Sequence, residues 1–236
     1  MHKKNKIIGL IQARMGSKRL PGKMLMMLGK FTVLEWVIKR SLKSKLIDDL
    51  ILLTSDLRKD DILIKKAHQL GIKTFRGSET NVLNRFASAA NKFDCDIAVR
   101  ICADNPFVDS LEIDRLINYH LKNNFDYCLN NQNKLGSNYA DGFGVEIINN
   151  KILQFLEKNI NSSYLREHVT LGVFEEKYKF KIAALKAPKE LSYPEMKFDI
   201  DTIDDLNKLK EIINNGINLD STGKEIIEVN KKLRKS

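Results

Sequence analysis

The chain has 236 residues, 43% of them hydrophobic, and a formal net charge of +10 at pH 7. This length suits one sizeable core, so we predict a single domain over residues 1–215. Three widely spaced cysteines without a Cys-x-x-Cys pair suggest neither a zinc site nor a disulfide framework, and they favour a reducing compartment. No apolar run approaches the roughly 18 residues of a membrane span. The expected protein is therefore cytoplasmic and has no membrane partner.

Alternating apolar runs and amphipathic segments predict, in chain order, strand 6–12, helix 32–43, strand 49–54, helix 59–70, strand 72–75, helix 80–92, strand 96–101 and helix 110–122. This alternation is typical of a doubly wound α/β fold with a mainly parallel central sheet buried on both faces. The second half is less regular. It predicts helices near 149–159 and 163–176, strands near 180–185 and 196–200, and a last helix that Thr202 caps.

Much of the positive charge lies near the two ends of the chain. Lysines occupy positions 3, 4 and 6, and residues 222–236 hold five Lys or Arg residues against two Glu residues. Charge at chain ends is typically solvated, so it does not by itself indicate a nucleic-acid partner. We interpret 216–236 as a basic, loosely attached C-terminal tail.

The loop after the first predicted strand indicates a polyphosphate ligand. Residues 14–23 contain four cations, and Gly16 and Gly22 allow the backbone to approach a ligand and present its N–H groups to anionic oxygens. An ordinary solvated basic loop would need neither the glycines nor the position after a strand. The loop therefore favours a nucleoside triphosphate.

Polar residues also follow the next three predicted strands, at 55–56, 76–77 and 103–106. Ligands of parallel sheets bind beyond the carboxyl ends of the strands, where these loops meet. We therefore expect the four segments to share one rim.

A series of motifs covering about residues 7–210 resembles the cytidylyltransferases of the SpsF type, which are relatives of the CMP-Kdo and CMP-sialic acid synthetases. The motifs are the loop at 11–23, Phe-Arg-Gly-Ser-Glu at 75–79, Val-Leu-Asn-Arg-Phe at 82–86, Val-Arg-Ile at 99–101 before Asp-Asn-Pro at 104–106, Asp-Gly at 141–142 before Val-Glu at 145–146, Arg-Glu-His-Val at 166–169 and Asp-Thr at 201–202.

The resemblance implies a Rossmann-like nucleotidyltransferase fold of the GT-A-like kind, with a small acceptor and dimerisation subregion near 125–176. It implies a Mg²⁺-dependent enzyme that transfers CMP from CTP to an acidic sugar or phosphorylated acceptor, releases pyrophosphate and serves the synthesis of surface glycans. Relatives commonly form homodimers, so a homodimer is expected here.

The resemblance also assigns roles to individual residues. The implied catalytic residues are Arg14, Lys23 and Asp104, and the implied metal ligands are Asp104 and Asp201. The implied nucleotide-binding residues are Leu10, Ala13, Arg14, Met15, Gly16, Ser17, Arg19, Lys23, Asp56, Arg76, Arg85 and Ala103. The implied acceptor-binding residues are Tyr139, Asp141, Glu146, Arg166 and His168.

Simpler roles stay open for both metal candidates. Asp104 could form an Asx turn before Pro106. Asp201 could be only a helix cap, and Ile203 stands where the family motif has proline, which removes preorganisation but no ligand. The family's Gly-Asp-Cys-Pro is Ala-Asp-Asn-Pro at 103–106, so the acceptor could differ from that of close relatives.

Three other residues have equally simple alternatives. Arg85 could be an ordinary surface charge, Asp56 could cap the helix at 59–70, and His168 could be a packed or surface residue.

Two other functional classes also stay open. One is a nucleotidyltransferase that uses UTP or GTP on a sugar phosphate. The other is a non-catalytic nucleotide- or nucleic-acid-binding module, which the acidic residues expected on the same rim disfavour because they repel a phosphate backbone.

Overall fold

The computed structural model describes residues 5–131, 135–175 and 177–234. Its centre is a seven-stranded sheet. In chain order the strands of this sheet are β1 (Ile7–Gln12), β4 (Asp49–Ser55), β5 (Lys73–Gly77), β6 (Ile97–Cys102), β7 (Tyr127–Leu129), β8 (Glu146–Asn149) and β9 (Ile182–Ala184). A separate antiparallel pair joins β2 (Met27–Leu28) to β3 (Phe31–Thr32).

The spatial order of the sheet is β5-β4-β1-β6-β8-β7-β9, and β8 runs antiparallel to both of its neighbours. The other pairings are parallel. This arrangement confirms the predicted doubly wound, mainly parallel sheet. The order places β1 between β4 and β6, with Gln12 opposite Cys102, so the loops after these strands meet at one edge.

Eight α-helices are described: α1 (Val33–Ser41), α2 (Asp61–Gln69), α3 (Val82–Lys92), α4 (Ser110–Asn123), α5 (Asn150–Asn159), α6 (Ser163–Glu167), α7 (Ile203–Asn214) and α8 (Gly223–Leu233). Successive side chains of a strand face opposite sides of a sheet. Accordingly, Ile11 belongs to one buried hydrophobic cluster and Leu10 to the other. No helix in the described ranges is long and apolar enough to cross a membrane.

The region from 125 to 200 differs most from the predictions. Within the range 125–176, the strands β7 and β8 lie inside the central sheet. The predicted helix 163–176 is instead the short helix α6 and a 3-10 helix, Leu171–Phe174, and between them Val169 has φ = 49°. The predicted strand at 196–200 is reduced to one isolated bridge between Asp141 and Lys197.

The C-terminal segment is not a loosely attached tail. Ile226 and Ile227 of α8 are buried in the larger hydrophobic cluster. A capping box between Thr222 and Glu225 begins the helix, and the N–H of Gly223 donates to Asp109 at 2.7 Å. The prediction of a solvated end gave weight to the lysines and not to the apolar residues, which recur at helical spacing.

Candidate active site

A basic groove lies at the carboxyl end of β1 and has a volume of about 350 Å³. It is lined by Gln12, Ala13, Arg14, Ser17, Lys18, Arg19, Lys23, Met24, Asp104, Glu167 and Asp201. The first loop thus meets the loop after β6, as the strand-end rule predicted, and it also meets the N-terminal end of α7. Residues 55–56 and 76–77, which were expected on the same rim, do not line the groove.

A tight turn brings Lys23 into this groove. Gly22 has φ = 74°, a left-handed conformation that glycine adopts without steric cost, and its N–H donates to the carbonyl of Met15 at 3.3 Å. A short 3-10 helix, Lys23–Leu25, begins immediately afterwards. Lys23 is therefore directed inward and is only 8% exposed.

The ammonium of Lys23 links two carboxylates and a carbonyl. Its Nζ lies 3.0 Å from Oδ2 of Asp104, 3.4 Å from Oδ1 of Asp201 and 2.6 Å from the carbonyl oxygen of Ile200. The N–H of Ile200 also donates to the carbonyl of Asp104 at 2.9 Å. Asp104 and Asp201 are therefore held side by side around one cation.

Cations surround the carboxylate of Asp201 on both oxygens. Arg19 lies 2.8 Å from Oδ1, which Lys23 also contacts, and Lys197 lies 3.4 Å from Oδ2. Burial opposes ionisation of this group, but Lys23, Lys197 and Arg19 together lower the pKa of Asp201 below its ordinary value. Its backbone N–H donates to Asp205, whose side chain completes the capping box of α7 with Thr202. The capping role at the start of α7 therefore belongs to Thr202 and Asp205, and Asp201 is left to face the groove.

Two further carboxylates lie behind this pair. Burial raises the pKa of Asp141 to about 7, with added repulsion from Asp199 and Asp104. Burial also raises the pKa of Asp199, and its Oδ1 is buried without a hydrogen-bond partner in the described part of the chain. An orphaned carboxylate oxygen beside mutually repelling acids is consistent with a cation near Asp104 and Asp201, whose oxygens are the ligands that Mg²⁺ prefers. Within residues 5–131, 135–175 and 177–234, however, no three acidic, His or Cys side chains form a ready-made metal site.

Asp60 anchors the first loop and was not predicted. It is fully buried, its Oδ1 accepts the N–H of Met15 at 2.8 Å, and its Oδ2 accepts both the N–H and the hydroxyl of Ser55. The exposed Asp56, by contrast, does not line the groove, and Asp60 rather than Asp56 holds the N-cap position of α2. An acidic residue just before a helix is indistinguishable from an ordinary cap in the sequence, which is why Asp60 escaped notice.

Glu167 is a second residue that sequence reasoning missed. It lines the groove, and its Oε1 lies 3.6 Å from Arg14. Its neighbours in the motif, Arg166 and His168, do not line the groove. The path of the short helix α6 determines which of the side chains at 166–168 faces the first loop, and the sequence alone does not show this path.

The predicted nucleotide-binding residues divide into two groups. Ala13, Arg14, Ser17, Arg19 and Lys23 line the groove, and Met15 and Gly16 belong to the same loop. Leu10 lies within β1 between two paired strands, and Ala103 is buried with its N–H donating to Gln12.

Neither of the two predicted nucleotide-binding arginines outside the first loop, Arg76 and Arg85, lines the groove. Arg76 bonds to the carbonyls of Ser55 and Leu57 and to Asp61. Arg85 is fully buried, so the alternative of an ordinary surface charge is wrong. Burial, with repulsion from Arg14, lowers the pKa of Arg85 to about 10.

Two predicted acceptor-binding residues are already occupied by protein partners. Tyr139 is fully buried, and its hydroxyl contacts Glu112 and Arg115. The Arg166 guanidinium donates to Asn81, to Glu157 and to the carbonyls of Glu157 and Ile160, so a bidentate grip on an acceptor is not available.

The other three predicted acceptor-binding residues lie around the groove without lining it. Asp141 lies beside the segment that contacts Asp104, because its carbonyl accepts the N–H of Phe198 at 2.9 Å and the N–H of Ile200 donates to the carbonyl of Asp104. Glu146 is buried and paired with Arg100 at 2.9 Å. His168 is exposed at the end of α6, with its ring 4.6 Å from that of Tyr164.

A doubly wound sheet with a cation-rich loop after its first strand and two aspartates around an inward lysine is the arrangement expected of a nucleotidyltransferase. Residues 8–230 match the family model described as cytidylyltransferase. The chain belongs to this family and is an enzyme of the nucleotidyltransferase class.

Known proteins agree with this assignment. The spore coat polysaccharide biosynthesis protein SpsF of Bacillus subtilis is 33% identical over 213 residues, 88% of this chain and 86% of that protein. The structure of a cytidylyltransferase from Leptospira borgpetersenii superposes with a TM-score of 0.90 at 32% identity, covering 98% of this chain and 96% of that one. A CMP:2-keto-3-deoxy-manno-octonic acid synthetase complexed with CTP has a TM-score of 0.69 at 14% identity, covers 90% of this chain and 100% of its own, and shares the fold.

Proposed function

We propose that this enzyme transfers CMP from CTP to an acidic sugar or phosphorylated acceptor, with Mg²⁺ as cofactor, in the synthesis of a surface glycan. The observation that carries the proposal is the Lys23 ammonium, held between Asp104 and Asp201 in a groove that Arg14 and Arg19 also line. The relationship to SpsF, whose name refers to a spore coat polysaccharide, supports the pathway class.

The reaction requires the protein mainly to position the reactants and to neutralise negative charge on the phosphates. An oxygen of the acceptor attacks the α-phosphorus of CTP, a new P–O bond forms, and the bond to the β-phosphate oxygen breaks to release pyrophosphate. A phosphorylated acceptor brings its own anionic oxygen and needs no strong protein base, whereas the hydroxyl of an acidic sugar must give up its proton to a base as the new bond forms. Lys23, Arg14 and Arg19 neutralise charge on the phosphate oxygens and on the leaving group.

Asp104 and Asp201 are the residues that would hold Mg²⁺. Such an ion is commonly bound through one or two carboxylates together with phosphate oxygens and water, so two aspartates suffice once a triphosphate is present. When bound, the ion supplies additional positive charge to the phosphates. Lys23 is then free to leave the carboxylates and contact the triphosphate.

A pyrophosphate-release assay tests the function. CTP, ATP, GTP and UTP are each combined with nonulosonic acids, Kdo-like acids, sugar phosphates and small phosphorylated alcohols, and turnover is expected with CTP and one anionic class. Turnover with UTP or GTP alone would contradict the choice of nucleotide. If no nucleotide reacted with any acid or phosphate, the transferase proposal would be wrong.

The metal assignment has its own test. Asp104→Asn is expected to abolish Mg²⁺-dependent turnover while the circular dichroism spectrum stays unchanged. Asp61→Asn, on an exposed side chain at the start of α2, is the matched control and should keep full activity. Full activity in Asp104→Asn would contradict the role of this carboxylate.

We also propose that the enzyme is a homodimer through the subregion near 125–176 and the aromatic residues that follow it. Exposed aromatic side chains there support this: Phe155 is 40% exposed and makes edge contacts with Tyr178 and Phe180, and Tyr164 is 62% exposed. Light scattering should give twice the 27.1 kDa chain mass, and Phe155→Lys should halve it. A monomeric wild type would contradict this proposal.

A further inference from the structure

The side chain of Gln12 lines the groove, although pairing in the sheet requires only the backbone of this residue. It is the last residue of β1, lies opposite Cys102 of β6 and lines the groove together with Arg14 and Asp104. Its carbonyl accepts the N–H of Ala103, so its backbone belongs to the sheet and only the side chain is free to serve a ligand.

The amide of Gln12 has a fixed orientation. Arg100 donates from Nε and from Nη2 to Oε1 of Gln12 at 3.4 and 3.3 Å. A guanidinium has donors and no acceptor, so the oxygen of the amide must face Arg100. The Nε2 group, with its two N–H donors, is left over, and it makes no hydrogen bond to any residue that the structure describes.

Arg100 is itself fixed. It pairs with Glu146 of β8 at 2.9 Å, and both side chains are largely buried, at 15% and 5% exposed. Glu146 in turn accepts the hydroxyl of Thr170 at 2.6 Å and the amide of Asn131 at 3.2 Å. A buried, well-connected ion pair of this kind has little freedom, so it holds the Gln12 amide in one pose.

We propose that Gln12 is a substrate-binding residue whose Nε2 donates to a non-bridging oxygen of the α-phosphate, and that Arg100 is its positioning residue. This inference rests on the proposed function. The cations of the loop extend outward to the exposed Arg19, which suits the β- and γ-phosphates, whereas Gln12 lies at the inner end, where the strands stop. A preorganised neutral donor there stabilises charge that develops on the α-phosphate.

Two ligands distinguish the loss of a contact to the α-phosphate from a general disturbance of the groove. CMP carries only the α-phosphate, and inorganic pyrophosphate stands for the β- and γ-phosphates. Gln12→Met, which keeps the length but removes the donor, is expected to weaken CMP binding about tenfold, the scale of a hydrogen bond to a charged group. Pyrophosphate binding should change less than twofold. Gln69→Met, on the exposed end of α2, is the control and should change neither.

Two more variants test the positioning. Gln12→Glu keeps the shape but replaces the donor with a carboxylate, and it should weaken CMP binding more than Gln12→Met does. Arg100→Lys keeps the positive charge beside Glu146 but loses the planar pair of donors, and it should weaken CMP binding several-fold. The double variant Arg100→Lys with Gln12→Met should bind CMP no more weakly than Gln12→Met alone.

The outcomes distinguish this inference from the proposed function. A wild type that binds neither CMP nor CTP overturns both. A wild type that binds CMP, together with a Gln12→Met variant that binds it equally well, overturns only the role of Gln12. Additive losses in the double variant overturn the positioning role of Arg100. A raised KM for the acceptor with unchanged CMP affinity overturns the assignment to the α-phosphate.

Discussion

Lys23 Nζ lies 3.0 Å from Oδ2 of Asp104, and this ion pair joins the loop after β1 to the loop after β6. Asp201 shares the same ammonium at 3.4 Å. The lysine therefore serves as counter-ion for two carboxylates in the nucleotide-free enzyme, and it competes with any other cation that binds them.

Lys23→Met should change metal binding and catalysis in opposite directions. Without the ammonium, Asp104 and Asp201 repel each other, so Mn²⁺ should bind the nucleotide-free variant about threefold to tenfold more tightly. The kcat with CTP should fall about 100-fold or more, because a cation at the phosphates is lost. Mn²⁺ titration by electron paramagnetic resonance and the pyrophosphate assay measure the two effects. Lys45→Met, at an exposed position before β4 and outside the groove, is the control, and weaker Mn²⁺ binding by Lys23→Met would refute the counter-ion role.

Asp60→Asn should loosen the first loop. The substituted amide places a donor where two acceptor oxygens meet the N–H groups of Met15 and Ser55, so we expect the free energy of unfolding to fall by about 1–3 kcal/mol. CTP affinity should fall as well, because the loop loses its anchor. Urea unfolding and calorimetric titration measure both, and the neighbouring Asp61→Asn should leave both unchanged.

Glu167→Gln should strengthen the binding of CTP. Glu167 pairs with Arg14 in the empty groove, and a triphosphate must compete with it for this arginine. The pair is exposed, so the gain should be small, about twofold to fivefold in Kd. It should disappear when Arg14 is replaced by Met, whereas Glu190→Gln, far from the groove in sequence and exposed, should have no effect. Weaker CTP binding would indicate instead that Glu167 contacts the nucleotide.

Asp141 should make the metal-free enzyme less stable as the pH rises. Burial, with repulsion from Asp199 and Asp104, raises the pKa of Asp141 from 3.8 to about 7, so between these values the folded state binds more protons than the unfolded state. The free energy of unfolding therefore falls with rising pH through this window. Asp141→Asn should remove this decline and exceed the wild type by about 1–2 kcal/mol at pH 8, a figure reduced for partial exposure. Urea unfolding with a chelator from pH 4 to 8 should show the two curves converging at the acid end, and parallel curves would refute the prediction.

Ile226→Ala should destabilise the whole enzyme. The side chain is fully buried in the larger cluster, and truncation there should cost about 2–5 kcal/mol. Lys224→Ala, on the exposed side of the same helix, should stay within about 0.5 kcal/mol of the wild type. Equal stability of the two variants in urea unfolding would mean that α8 does not contribute to the core.

The parts of the fold that the sequence predicted well are those with long periodic signals. β1, β4 and β6 are six or seven residues long and mostly apolar, so their strand character and their shared edge followed directly. β7 and β9 have only three residues each and owe their structure to their neighbours in the sheet. Such short segments carry no period of their own.

Site residues could be predicted from the sequence where they directly follow a predicted strand. Asp104 and the first loop follow strands, and the structure brings them together. The orientations of Arg166 and Tyr139 depend instead on partners elsewhere in the chain, which a single sequence does not show. The orientation of the Gln12 amide could not be predicted either, because it depends on Arg100 and Glu146 from other strands.

The contact between Lys23 and Asp201 spans 178 positions of the chain. Closure of so long a loop is entropically costly, so we expect this contact to form after β1 and the strands beside it have paired. During synthesis the first loop leaves the ribosome long before Asp201, so a nascent chain carries the phosphate-binding cations without their last carboxylate. Activity should therefore appear only when the segment around residue 201 has docked, which makes the onset of turnover a kinetic marker for completion of the fold.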